Sequence, residues 1–154
     1  MQFIKVGLIG CTLGVLVAMA DEPKTVAKQA FSGFQERTNL VISNEKDWQQ
    51  VWDKLNLKVT PKPERPNIDF KKESLLLVTQ GQQTTGGYAI TVVSVEADTN
   101  KPNAFRAVVE ETKPAAGAMR IMSLTAPFHL VLLPCPNAQV QVQYRDKGSP
   151  KPGQ

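Results

Sequence analysis

Ser74-Leu75-Leu76-Leu77-Val78-Thr79, then Gly81-Gln82-Gln83-Thr84-Thr85-Gly86-Gly87-Tyr88, then Ala89-Ile90-Thr91-Val92-Val93-Ser94-Val95 is the stretch that decides the fold. The first run is continuously apolar, the pattern of a strand covered on both faces. The third alternates, with Tyr88, Ile90 and Val92 on one side and Ala89, Thr91, Val93 and Val95 on the other. Between them, two adjacent glycines at a strand entrance allow a positive φ or the close approach of another backbone, neither of which a Cβ tolerates well. Such a loop can serve as a turn or as a contact surface, and it holds no nucleophile with a base beside it.

Reading outward, the strand signals continue. Asp98-Thr99-Asn100-Lys101-Pro102-Asn103 is a turn cluster, and Phe105 to Glu111 returns as the partner of the preceding strand. Lys113-Pro114-Ala115-Ala116-Gly117-Ala118 forms another loop. Phe128 to Leu133 reads as a second buried strand, closed by Pro134-Cys135-Pro136-Asn137. Val140, Val142 and Tyr144 alternate with Gln139, Gln141 and Gln143, a half-buried last strand. On the N-terminal side, Asp21 to Lys28 is a polar leader, Gln29 to Phe34 a first strand candidate and Asn39 to Ile42 a second. Ser43 or Asn44 then caps a helix whose Trp48, Val51, Trp52 and Leu55 fall on one apolar stripe, with Asn56 as its stop. Residues 57–72 carry Pro61, Pro63 and Pro66 among lysines and an arginine, so they form a surface connection from which Ile68 and Phe70 tuck back onto the core. The expectation is a mainly β (α+β) domain: an antiparallel β-sandwich or partly open barrel of six to seven strands, with one amphipathic helix over residues 44–55 covering an edge or an open face.

The N-terminus bears on compartment. One charge, Lys5, precedes the apolar run Val6 to Val17, and Ala18-Met19-Ala20 stands before Asp21-Glu22-Pro23. This is the layout of a cleavable secretory signal over residues 1–20, with a run too short for a comfortable membrane span. Leu8-Ile9-Gly10-Cys11 also resembles a lipoprotein box that would anchor the chain through Cys11. Cutting there would leave an apolar stub, so cleavage after Ala20 is the expected course. Taking residues 1–20 from 154 leaves 134, enough for one domain over 21–145, with a Pro-, Gly- and Lys-bearing tail over 146–154 that has nothing to bury and is expected to be disordered. The 18 basic residues against 14 acidic ones fall to 17 against 14 once Lys5 is lost. That excess is scattered, and nucleic-acid binding calls for a clustered basic stripe. The mature chain keeps one cysteine, Cys135, so no intrachain disulfide can form.

Candidate chemistry is sparse. His129 is the single imidazole, and it lies six residues from Cys135 along an apparent strand, roughly 20 Å at strand rise and far beyond hydrogen-bond reach. A packed or edge histidine and a small buried thiol fit the pair better. Too few His and Cys remain for an ordinary zinc site. Glu110 and Glu111 are adjacent on a strand and point to opposite faces, so they cannot flank one substrate and read as a solvated strand end. No serine sits in a Gly-x-Ser-x-Gly setting, and Thr84-Thr85-Gly86-Gly87 lacks the Gly-Lys-Thr/Ser close of a phosphate loop. Trp48 and Trp52, at helical spacing with Val51 and Leu55, are core rather than a sugar platform. Neither cofactor, metal nor an obligate small-molecule ligand is expected.

Thr84-Thr85-Gly86-Gly87-Tyr88-Ala89-Ile90, then Val108-Val109-Glu110-Glu111 with Pro114 and Gly117, then Leu124-Thr125-Ala126-Pro127-Phe128, resembles the PrcB C-terminal domain family, over roughly Leu75 to Val142. That family takes its name from an accessory subunit of a bacterial surface protease complex. The resemblance implies a secreted or lipid-anchored, periplasmic or extracellular, non-catalytic domain whose partner is a protein, an envelope protease among the candidates. Where the family loop often has Pro, this chain has Thr84, so the loop's rigidity does not carry over. Thr84, Thr85, Gly86, Gly87 and Tyr88, together with Pro127 and Phe128 at a later strand entrance, are the expected partner-binding residues, Phe128 as an apolar anchor. The Gln82–Tyr88 loop also looks like the Asn-Pro-Thr-Thr-Gly loop of chagasin-type cysteine-protease inhibitors. Its Asn-Pro is absent here, which leaves a protease inhibitor as the alternative function.

Overall fold

The computed structural model describes residues 22–147; residues 1–20, expected above to be a signal segment, with Cys11 among them, and the expected tail from 148 onward lie outside the described residues. In chain order the elements are β1 (Thr25–Gln29), β2 (Thr38–Ile42), α1 (Glu45–Leu55), β3 (Ser74–Thr79), β4 (Ala89–Ala97), β5 (Ala104–Thr112), β6 (Phe128–Leu133) and β7 (Gln139–Asp146). The seven strands make two sheets: a four-stranded one in the order β1-β6-β3-β2 and a three-stranded one in the order β4-β5-β7. Neither closes into a barrel, and the two stack as a β-sandwich.

The apolar runs explain the layering. β3 and β6 pair antiparallel from Ser74↔Leu133 to Thr79↔Phe128 at the centre of the four-stranded sheet. Side chains alternate along each strand. Leu75, Leu77, Phe128 and Leu130 therefore meet Trp48, Trp52 and Leu55 of α1, while Leu76, Val78, Val131 and Leu133 meet Ile90, Val92, Ala107 and Val109 of the second sheet. Each fully buried Leu or Phe stabilises the fold by about 1.5–3 kcal/mol relative to exposure. The four-stranded sheet is thus a middle layer, with the helix covering its outer face.

Local chemistry holds the helix in place. Asn44 is the cap: its Oδ1 accepts from the Asp47 amide at 2.9 Å. Asn56 ends the helix, its side-chain amide donating to the Trp52 carbonyl at 2.9 Å. The proline-bearing connection lies against the stripe. Trp48 Nε1–H donates to the Pro66 carbonyl at 3.0 Å and Trp52 Nε1–H to the Pro63 carbonyl at 3.2 Å, so both indoles keep a partner while buried. Ile68 and Phe70 pack onto the same core, as their position in the linker implied.

Four details depart from the sequence reading. The first strand is Thr25–Gln29, inside the segment read as leader, and residues 30–34 are not strand. As an edge strand it buries only part of Val26 and Ala27, too little to leave an alternating signal. In β4 a bulge between Val92 and Ser94 resets the alternation, so Val95 joins the inward face of Ile90 and Val92 instead of opposing it. β7 pairs parallel to β5, from Ala104↔Gln139 to Glu111↔Asp146, and so takes in Asp146, the first residue of the expected tail. Finally, Glu111 is buried and ion-paired with Arg37 of the segment before β2. It is not a solvated strand end, because β7 and Arg37 close over it. Glu110, on the opposite face, pairs with Arg145 at 3.2 Å.

Candidate functional site

The Gln80–Tyr88 loop is held flat rather than projecting. Gly81 has φ +74°, and a Cβ there would lie 2.6 Å from the Glu36 carbonyl carbon, so it lets the loop cross the 35–37 segment. The Gln82 amide donates to the Gln35 carbonyl at 2.9 Å. Gln83 and Thr125 exchange backbone hydrogen bonds at 2.7 and 3.0 Å, and the Gly86 amide donates to the Ile121 carbonyl at 2.9 Å. Thr125 Oγ1 adds a hydrogen bond to the Thr85 carbonyl at 2.9 Å. Of the glycine pair, only Gly87 needs to be glycine: it has φ +89° and a Cβ would sit 3.0 Å from Pro114, whereas a Cβ on Gly86 would make ordinary contact with Ile121.

These bonds sort the expected contact residues. Thr84 and Gly87 are exposed, Gly86 and Tyr88 half-buried, and Thr85 buried against Thr125. Pro127 is buried, its carbonyl accepting from the Gln80 amide at 3.2 Å. Phe128 is 2 % exposed in the helix-side core, because the alternation of β6 turns it toward Trp48 and Trp52. The apolar anchor expected of Phe128 is therefore absent from this surface.

Other residues supply it. Residues 119–124 run beside the loop as a strap, on which Met119 is fully exposed, Met122 82 % exposed, Ile121 77 % and Leu124 53 %. Isolated exposed apolar side chains are ordinary, but four within six residues make a patch of the kind that marks an interaction site. Phe31 and Leu124 line a cleft of about 80 Å³ with Leu55, Val59 and Ala126. Sequence reasoning passed over this strap. Its available signal was the mismatch between four large apolar residues and a segment that Pro114 and Gly117 keep from regular structure. From Lys113 to Pro127 the chain has no acidic residue, so the strap's own charge is positive, from Arg120 and Lys113.

His129 ties three strands together through its two ring nitrogens. It is 3 % exposed between the two sheets. The Val92 amide of the β4 bulge donates to its Nδ1 at 2.9 Å, which leaves the ring proton on Nε2 to donate to Thr25 Oγ1 at 2.7 Å. Burial, with the Lys28 ammonium nearby, pushes its pKa from 6.5 down to about 4. Both nitrogens are engaged, so the ring has no free position from which to serve the Cys135 thiol, whose pKa burial raises. Among the described residues no three His, Cys, Asp or Glu side chains gather as a metal site would require, and no helix is long and apolar enough to cross a membrane.

The geometry defines a two-sheet β-domain with exposed apolar side chains gathered at one end. Residues 74–134, from β3 to the close of β6, match the family model described as PrcB C-terminal. The family is one of protease-complex-associated accessory domains rather than known catalytic ones. No curated protein and no solved structure matches the chain.

Proposed function

We propose that this is an exported, non-catalytic domain that binds a protein partner, an envelope protease or a subunit of its complex, through the end of the sandwich where Thr84, Gly86, Gly87 and Tyr88 lie beside the 119–124 strap. The carrying observation is the exposure of Met119, Ile121, Met122 and Leu124 on a strap fixed by backbone hydrogen bonds. A scaffold-held surface of this kind binds without a large ordering cost. The match of residues 74–134 to the PrcB C-terminal family model supports the protease context. The flat loop favours docking over the alternative of an inhibitor loop that enters a cleft, since Gln83 and Gly86 are tied to Thr125 and Ile121.

The test is capture from cell-envelope extract by the wild-type domain, by an Ile121→Ser/Met122→Ser variant and by Thr84→Lys. All three substitutions are at exposed positions and should move stability by less than about 0.5 kcal/mol each. The expected result is a protease or protease-complex subunit bound by the wild type and depleted at least about tenfold with the strap variant, the loss of some 1.4 kcal/mol of binding. Equal capture by every variant would remove this end from the interface. Inhibition of proteases by the purified domain, lost in Thr84→Lys, would favour the inhibitor instead.

A further inference from the structure

The sandwich guards one of its open sides and leaves the other unguarded. On the guarded side, β4 carries its bulge, the Val92 amide is taken by His129, and Lys28 Nζ reaches Thr91 Oγ1 at 2.6 Å. β1 there is short and also bulged. On the other side β7 is an eight-residue edge strand whose register against β5 is unbroken. It has none of the usual protections against pairing with another strand, neither proline, lysine nor bulge. Its two charges lie at its end and are used within the molecule, Arg145 by Glu110 and Asp146 by Lys113.

The direction of its backbone follows from two hydrogen bonds. Gln139 donates to the Asn103 carbonyl and Lys147 to the Glu111 carbonyl, both at 2.8 Å. Odd-numbered residues of β7 therefore face β5, and Val140, Val142 and Tyr144 aim their N–H and C=O groups outward along the free edge. Those same three side chains point into the sandwich yet are only half-buried. Gln139, Gln141 and Gln143 stand exposed on the other face.

We propose that β7 pairs with β7 of a second copy, antiparallel about a two-fold axis through Val142, joining the two three-stranded sheets into one. The strand complements itself in that register. Val142 meets Val142 and Val140 meets Tyr144, all with their backbone groups outward, for roughly six inter-chain hydrogen bonds, two from each such pair. Gln141 lies opposite Gln143, each amide offering both a donor and an acceptor. Gln139 lies opposite Arg145, so no like charges meet. A strand with charges along its length would favour a partner of opposite sign; this one is neutral where it is open, which suits its own copy.

Sedimentation velocity of the purified mature protein over a range of concentrations tests the pairing. The expected result is a concentration-dependent dimer. Val142→Pro removes an outward N–H that no group in the monomer uses, so it should give a folded monomer. Gln141→Lys with Gln143→Lys sets like charges against each other on an exposed face and should weaken the dimer at least tenfold, more at low salt. This second variant decides the matter if the proline variant does not fold. A wild type that stays monomeric at the highest attainable concentration overturns the proposal. So does a dimer that persists in the folded lysine variant, or one abolished instead by Ile121→Ser/Met122→Ser.

Discussion

At the scale of single residues, His129 connects three strands from one buried position: its own β6, β1 through Thr25, and the β4 bulge through Val92. Its pKa of about 4, against 6.5 for an unperturbed imidazole, gives the sign of a pH effect. The unfolded chain binds the proton more readily than the folded one. The stability is fully present above pH 6.5 and is lost as pH falls toward 4, a loss approaching about 3 kcal/mol for a shift of this size. Denaturant midpoints of wild type and His129→Gln should therefore diverge in their pH dependence. Between pH 7 and pH 5 the wild type should lose about 2 kcal/mol more than the variant. Parallel curves would mean that the ring charges without cost and that the two hydrogen bonds do not constrain it.

Among the elements, α1 has its apolar stripe between the middle sheet and the proline-bearing connection. The Trp48 and Trp52 rings lie 5.2 Å apart between centroids, and each indole donates to a carbonyl of that connection. Trp52→Ala removes the ring and the tie to Pro63 together and should cost on the order of 3–5 kcal/mol, read as a shift in the denaturant midpoint. Coincident midpoints would show that the stripe is not core. This helix was legible because a 3.6-residue period and a cap are local signals, and β3 and β6 were legible because burial on both faces leaves an unbroken apolar run. The sequence reading lost β1, where an edge strand needs little apolar surface. It lost the phase of Val95 because a bulge is set by cross-strand geometry. At the site, the loop with its glycine pair was visible in the chain, but which residues face out was not. Phe128 went to the core by alternation, and the strap's exposure follows from the hydrogen bonds of Gln83, Gly86 and Thr125 to positions some forty residues away.

For the whole molecule, chain order and sheet order are interleaved. The four-stranded sheet takes β1, β2, β3 and β6, and the three-stranded sheet takes β4, β5 and β7. The residues that match the family model therefore include only part of each sheet, and β1, β2, α1 and β7 come from outside them. The export reading rests on Ala18-Met19-Ala20 before Asp21, and the intact mass of the exported product should correspond to a chain beginning at Asp21. A product beginning at a lipid-modified Cys11 would overturn it. The interleaving has a consequence for how such a chain is made. When synthesis has reached residue 112, β1 has no neighbour, β3 lacks the strand that completes its second side, and β5 lacks β7. Contacts that must wait for distant sequence form late and slowly. Under the export reading proposed above, a chain whose sheets stay unfinished until β6 and β7 have been made would keep the threadable state that passage through a narrow secretion channel requires, and those two strands are the ones that lock the fold.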